Sequence, residues 1–153
     1  MKKLPKRDLM ENRVKRAKKE LTQLSHTFVR RRDSHNPDLI GGLCATCGKY
    51  CMDSNFQSGH WENDATGGAI LRFHPRNMHG QGGFCCNINR HGQQQMGVAY
   101  TLFMINKYGI DYVNKLRAMK QKSIKADIIF YERMIELYQA GNEQDIVDYL
   151  ESL

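Results

Sequence analysis

Apolar positions follow two rhythms along this chain. Met10, Val14, Ala17, Leu21, Leu24 and Phe28 step by four, three, four, three and four residues, which lays them in a narrow seam down one side of a helix. Arg13, Lys15, Arg16, Lys18 and Lys19 fall on its other faces. The helix should stop after Arg30, Arg31 and Arg32, where Asp33, Ser34, His35, Asn36 and Pro37 form a turn-rich linker. Such a seam must bury against something: its own domain, a second copy in a homodimer, or a helix-on-DNA arrangement. Between Cys44 and Cys86 the pattern breaks into short pieces punctuated by glycine, which predicts short strands, the first reaching His60 and the second near residues 69–73. Beyond Asn87 the helical spacing returns over residues 94–108, 112–120, 125–139 and 145–150, with breaks at Gly109 and at Gly141 and Asn142. Ile128, Ile129, Tyr131, Met134, Ile135, Leu137 and Tyr138 read as helix core rather than as a ligand site.

Charge changes this picture because it is unevenly placed. The chain carries 23 Lys and Arg against 16 Asp and Glu, a formal +7 with pI near 9.2. Residues 1–32 hold 12 of the basic residues and 3 of the acidic ones, a net of +9 that leaves −2 for all the rest. A basic N-terminal segment is what tracking a phosphate backbone requires, so the expected partner is nucleic acid. No apolar run approaches the length of a membrane span and the start is charged, so neither a membrane nor a signal peptide is expected.

The chemistry is concentrated in the middle. Cys44 and Cys47 stand at C-x-x-C spacing, Cys51 follows closely, and Cys85 and Cys86 lie 38 and 39 positions beyond Cys47. Two intervening residues let both thiolates of a C-x-x-C reach one tetrahedral zinc, and the second cysteine cluster favours a structural Zn2+ over a redox dithiol or a pair of buried thiols. Cys44, Cys47 and Cys86 are the expected ligands, with Cys85 or Cys51 as the fourth. Five cysteines in such spacing also fit a reducing, cytoplasmic setting better than disulfides.

Between the cysteines lie Gly59, His60 and Trp61, then Arg72, Phe73, Asn77, His79 and Gln81 in an R-F-x-x-x-N-x-H-x-Q run, then Cys86 and Asn87. With C-x-x-C-G at Cys44 to Gly48, and Gly92, Tyr100, Tyr108 and Gly109 beyond, this stretch of roughly residues 40 to 110 resembles the NinG (Rap) family of lambdoid phage recombination proteins, within the HNH or ββα-metal nuclease superfamily. The family pattern has C-x-x-C-N after the glutamine, whereas here two adjacent cysteines precede Asn87. The resemblance implies an α+β fold: a small zinc-stabilised HNH-like ββα-metal core at residues 37–109, a basic helical arm at 1–36 and C-terminal helices at 110–153. It also implies a metal-dependent endonuclease acting on branched, Holliday-junction-like DNA in the cytoplasm of a phage-infected or prophage-carrying bacterium.

Hydrolysing a phosphodiester needs a base for the attacking water and a divalent cation to neutralise the charge that develops. Imidazole is the natural base near neutral pH, and its second nitrogen must be pinned by an acceptor. His60 is the expected base, and Asn77 should orient the intervening loop or the His60 ring. His79, Asn87 and His91 are the candidates to hold a catalytic Mg2+ or Mn2+, because Gly59 stands where many HNH sequences carry a metal-binding Asp. Trp61 should pack on the zinc-bound core. Arg13, Arg16, Lys18, Lys19, Arg30, Arg31, Arg32, Arg72, Arg76 and Arg90 are the expected DNA contacts. Two other readings stand beside this one: a non-catalytic zinc-stabilised DNA-binding protein, and an RNA-binding or assembly protein built on the helical tail.

Overall fold

A computed structural model describes residues 6–36, 38–62, 68–87 and 94–153. His91 and Arg90 therefore lie outside the described residues, as does Gly92. Helix α1 (Lys6–Arg32) is followed by a hairpin of β1 (Gly41–Leu43) and β2 (Tyr50–Met52), then by β3 (Phe56–His60), the short helix α2 (Gly68–Arg72) and β4 (Met78–Gly82). A single π-helical turn (Gly83–Asn87) leads on to α3 (Gln94–Tyr108), α4 (Ile110–Ala118), α5 (Ile128–Ala140) and α6 (Glu143–Ser152). The result is mixed helix with two small antiparallel sheets, β1 on β2 and β3 on β4, compatible with an α+β class. No helix among the described residues is long and apolar enough to cross a membrane.

The seam of α1 is buried inside the chain. Ala17 and Leu21 are buried, Leu21 completely, and Val14, Leu24 and Phe28 are partly buried, while Met10 at the start of the seam stays exposed. The helix packs on α5 and lies beside β3, and a Leu-sized side chain buried in this way contributes about 1.5–3 kcal/mol. A dimer through the same seam would find its central part already occupied. Removing residues 1–32 would strip core as well as charge. Ala17 and Leu21 share one apolar core with Leu71 and Phe73 around α2, Met104 of α3, Leu116 of α4, Met134 of α5 and Leu150 of α6, so it draws on all three of the expected segments.

Helix ends follow their capping chemistry more closely than their apolar spacing. Helix α5 begins at Ile128 rather than at 125 because the Asp127 carboxylate accepts the Phe130 N–H at 3.1 Å, and it ends where Gly141 takes a left-handed φ of 77°. The second strand departs from expectation. Residues 69–73 are mostly helical, with Ile70, Leu71 and Phe73 turned into the core, and the partner of β3 is Met78–Gly82. All five residues of β4 are buried, so the apolar–polar alternation that marks a half-exposed strand is absent there.

A second, far smaller core lies around the β1–β2 hairpin. Its buried members are Cys44, Cys51, Cys86 and Phe56, three cysteines and one phenylalanine. Apolar burial alone offers this end of the molecule little stability.

Candidate metal centre and active site

The cysteine cluster is assembled from two turns. In the first, the Gly48 N–H donates to the Cys44 carbonyl at 2.8 Å, the Cys44 N–H donates to the Lys49 carbonyl at 2.8 Å, and Gly48 takes a left-handed φ of 70°. In the second, the π turn lets the adjacent Cys85 and Cys86 join the same cluster, and the Sγ atoms of Cys44, Cys47, Cys85 and Cys86 all lie within 4.8 Å of one another. Cys47 Sγ and Cys85 Sγ stand 3.5 Å apart, close to the roughly 3.8 Å expected between sulfurs held at 2.3 Å around one tetrahedral zinc. Burial opposes charge on Cys44, yet the backbone N–H groups of Gly82, Cys47 and Thr46 outweigh it and lower that thiol's pKa. Burial pushes the Cys85 thiol up to about 12, and the neighbouring Cys47 and Cys44 add to the rise. These four cysteines can hold a metal ion such as zinc, with no position left open for catalysis. Cys51 is buried next to them, but outside the set of four. A Cβ at Gly82 would overlap Cys85 Sγ and stand 2.6 Å from Cys51 Sγ, so the strand can pass the sulfurs only as glycine.

His60 ends β3 and is buried, with its Nε2 at 2.9 Å from the Arg72 carbonyl oxygen. A carbonyl only accepts, so Nε2 carries the proton and Nδ1 carries the lone pair. The tautomer and orientation of the ring are thereby fixed. Asn77 fixes the connection between the two strands rather than the imidazole: its Nδ2 donates to the carbonyls of Leu71 at 2.9 Å and Glu62 at 3.2 Å, and its Oδ1 accepts the Glu62 N–H at 3.0 Å. Trp61 turns away from the cysteines. Its Nε1 donates to Thr101 Oγ1 at 2.9 Å, Arg117 lies 5.0 Å above its ring, and it packs on the helical core.

The glycine before His60 is filled space. A Cβ there would overlap Gln81 Oε1 and sit 3.1 Å from Asn87 Oδ1, while Tyr100 donates to the Gly59 carbonyl at 2.8 Å. Two neutral carboxamides thus occupy the room an aspartate would need. Asn87 is oriented by its Nδ2, which donates to Gln57 Oε1 at 2.9 Å.

His79 is on the neighbouring strand but belongs to a different set of contacts. Nδ1 lies 3.0 Å from Arg32 Nη2 and 3.2 Å from Asp33 Oδ2, and Nε2 lies 3.2 Å from Tyr108 Oη. Both ring nitrogens are engaged whichever tautomer is present, so this side chain is poorly placed to give a lone pair to a cation. Arg32 is likewise structural, donating to the carbonyls of Met78 at 2.7 Å and Pro75 at 2.9 Å and pairing with Asp33 and Glu143. Arg76 pairs with Glu143 and lies over Tyr112. The two arginines tie the end of α1 and the second strand to α6, which leaves little of either for DNA.

Burial keeps two histidines neutral, lowering both from 6.5 to about 4: His74, and His79, where Asp33 opposes the shift and Arg32 reinforces it. An unfolded chain takes up a proton on each near pH 6.5 while the folded chain does not, so stability is full above pH 6.5 and lost as pH falls toward 4. The loss is on the order of 3 kcal/mol per histidine. His74 accepts the Arg76 N–H through Nδ1 and caps the turn Pro75–Asn77. His74→Asn keeps an acceptor there without the titration. Urea melts at pH 7.5, 5.5 and 4.5 should show a flatter decline for this variant, whereas an unchanged slope would mean that acid acts elsewhere, for instance on the thiolates.

Between α1 and β3 lies a recess of about 420 Å3 lined by His26, Arg30, Ser54, Gln57, Ser58 and Asn87. Ser58 and His60 share a face of the strand, and the His26 ring stands 5.9 Å from that of His60. The sequence reading missed His26 and Ser58. The signal available for His26 was the polar face of α1, where Lys15, Lys19, Gln23, His26 and Arg30 step by four, four, three and four; nothing local marks Ser58. Of the expected DNA contacts, Arg16, Lys18, Lys19 and Arg31 are exposed, Arg13 pairs with Glu132 at the surface, and Arg72 joins Lys15, Lys18 and Lys19 around a second groove.

A four-cysteine cluster able to hold a metal, set beside a strand pair that carries His60, places the chain among small proteins with a candidate metal centre. A family model narrows it: residues 2–144 match the family described as Bacteriophage Lambda NinG protein, nearly the whole chain, and the chain belongs to that family. Comparison with curated proteins returns no match, and neither does comparison with solved structures.

Proposed function

We propose that this chain is a metal-dependent DNA endonuclease of the HNH type, acting on branched DNA in phage recombination, with one structural zinc on Cys44, Cys47, Cys85 and Cys86. The observation that carries the reading is the setting of His60. Its Nε2 is pinned to the Arg72 carbonyl, which fixes the ring, and Asn77 holds the loop that supplies that carbonyl. His60 would take the proton of the attacking water. A divalent cation, when bound, would neutralise charge on the phosphate and the leaving 3′ oxygen. Asn87 is the described residue suited to hold it; the other candidate of the sequence, His91, lies outside the described residues. His79 and Arg32 take structural roles in this reading.

The second reading, a zinc-stabilised DNA-binding protein without activity, is favoured by a specific observation. Among the described residues no cluster of His, Cys, Asp or Glu other than the four cysteines converges on one ion, and carboxamides fill the place beside Gly59 where a metal-binding acid would stand. A cation held by neutral groups is held weakly, so cutting should require millimolar Mg2+ or Mn2+. Labelled four-way-junction DNA should then be nicked. Junction DNA that stays bound and intact as either cation is raised would favour the second reading.

A further inference from the structure

We propose that the recess between α1 and β3 seats a DNA backbone phosphate beside His60, held by Arg30 and Ser58, and that the polar face of α1 leads the strand to it. The chemistry at that phosphate rests on the endonuclease reading; the binding does not. Two buried donors of residues lining the recess have no acceptor among the described residues. They are the Arg30 Nε–H and the Ser58 hydroxyl, and Ser58 is only 8% exposed. Buried polar groups in folded proteins are nearly always paired, so two orphans lining one recess call for an explanation. The Arg30 guanidinium is anchored at its other end, where Nη2 donates to the Asp53 carbonyl at 2.8 Å, so its Nε–H is held in place rather than swinging in solvent. Among the described residues no carboxylate lines the recess. A small anion with several oxygen acceptors is the ligand that would satisfy both donors at once, and a phosphodiester is such an anion.

The approach to the recess has the same character. Lys15, Lys18 and Lys19 line an open groove of about 320 Å3 together with Arg72, the residue whose carbonyl holds His60. His26 and Arg30 continue the same helix face into the recess. From Lys15 to Arg30 the helix rises about 22 Å, the length of roughly six phosphates along one strand of duplex DNA. His60 bonds the carbonyl of Arg72 at the groove and its ring stands 5.9 Å from that of His26 at the recess, so a strand laid along α1 from one to the other would pass close to that ring.

The test needs no cleavage. Anisotropy of a labelled four-way junction, measured without Mg2+ or Mn2+ over a range of salt, should show Arg30→Gln binding about tenfold more weakly, with the log–log salt slope reduced by about one. Arg133→Gln, which removes one exposed charge on α5, should keep the wild-type slope. Ser58→Ala should weaken binding several-fold and raise the melting temperature by about 3 °C, because it deletes an unsatisfied buried hydroxyl. A merely structural Ser58 would move melting the other way and leave affinity unchanged. A folded, zinc-replete Arg30→Gln with wild-type affinity and slope overturns the proposal; if that variant does not fold, wild-type affinity in Ser58→Ala does so. A chain that binds as described yet never cuts keeps the phosphate seat and loses the nuclease, whereas a chain that cuts while both variants bind normally loses only the seat.

Discussion

His60→Ala should bind junction DNA and zinc like the wild type and cut on the order of a hundred to ten thousand times more slowly, the usual cost of removing a general base. The physical reason lies in what the ring is attached to. Its Nε2 proton goes to the Arg72 carbonyl, so alanine leaves that acceptor without this donor, while His60 is a member of neither the cysteine cluster nor the helical core. A small stability cost of about 1–3 kcal/mol accompanies the lost hydrogen bond, and melting must be checked so that rate is not confused with folding. His79→Ala should give the opposite profile. It removes a ring buried between Arg32, Asp33 and Tyr108, so melting should fall steeply, with cutting by the protein that remains folded reduced far less. If His60→Ala cuts at the wild-type rate, the base is not His60 and the candidate site falls to the binding-protein reading.

Loss of the metal should be the other large effect. Structural zinc in small thiolate-rich domains contributes on the order of 10 kcal/mol to folding, comparable to the whole stability of an ordinary domain. Here the cysteine end has Phe56 and little else in its own core, so it has no apolar reserve to fall back on. Elemental analysis should find about one zinc per chain. Chelation or Cys86→Ser should lower melting by about 10 °C or more, with the β1–β2 hairpin opening first while the helical core, which draws on other residues, persists longer. Cys51→Ala should keep the zinc, since Cys51 lies outside the set of four. Metal-free protein with unchanged melting after chelation would contradict the assignment.

What the sequence made legible is what local chemistry dictates. The helix over 94–108 coincides with α3, the end of α1 falls at Arg32, and the C-x-x-C with its distant cysteine pair forms one cluster, because periodicity, punctuation and ligand spacing all act over short distances or through few residue types. The alternative between Cys85 and Cys51 was not decidable by spacing; it depends on a π turn that lets two adjacent side chains join one cluster. Strand β4 escaped notice because it is buried on both faces and its polar members are satisfied by partners remote in sequence, His79 by Asp33 and Tyr108, and Gln81 by Thr46. For the same reason the pairing of Arg32 and Arg76 with Glu143 could not be read from the sequence: a basic residue declares its charge, and this acidic partner lies more than sixty positions away. The recess beside His60 forms only when α1 docks, bringing His26 and Arg30 against Ser58 and Asn87.

The central claim is that His60 and its surroundings cut DNA, and single-turnover cleavage of a preformed complex tests it most directly. Zinc-replete wild-type protein in excess over an end-labelled four-way junction is allowed to bind without other divalent ions, Mn2+ or Mg2+ is then added, and the strands are resolved on a denaturing gel. The account predicts discrete nicks that appear only after the cation is added. Full-length strands at every time and cation concentration, with the junction still bound, would contradict it.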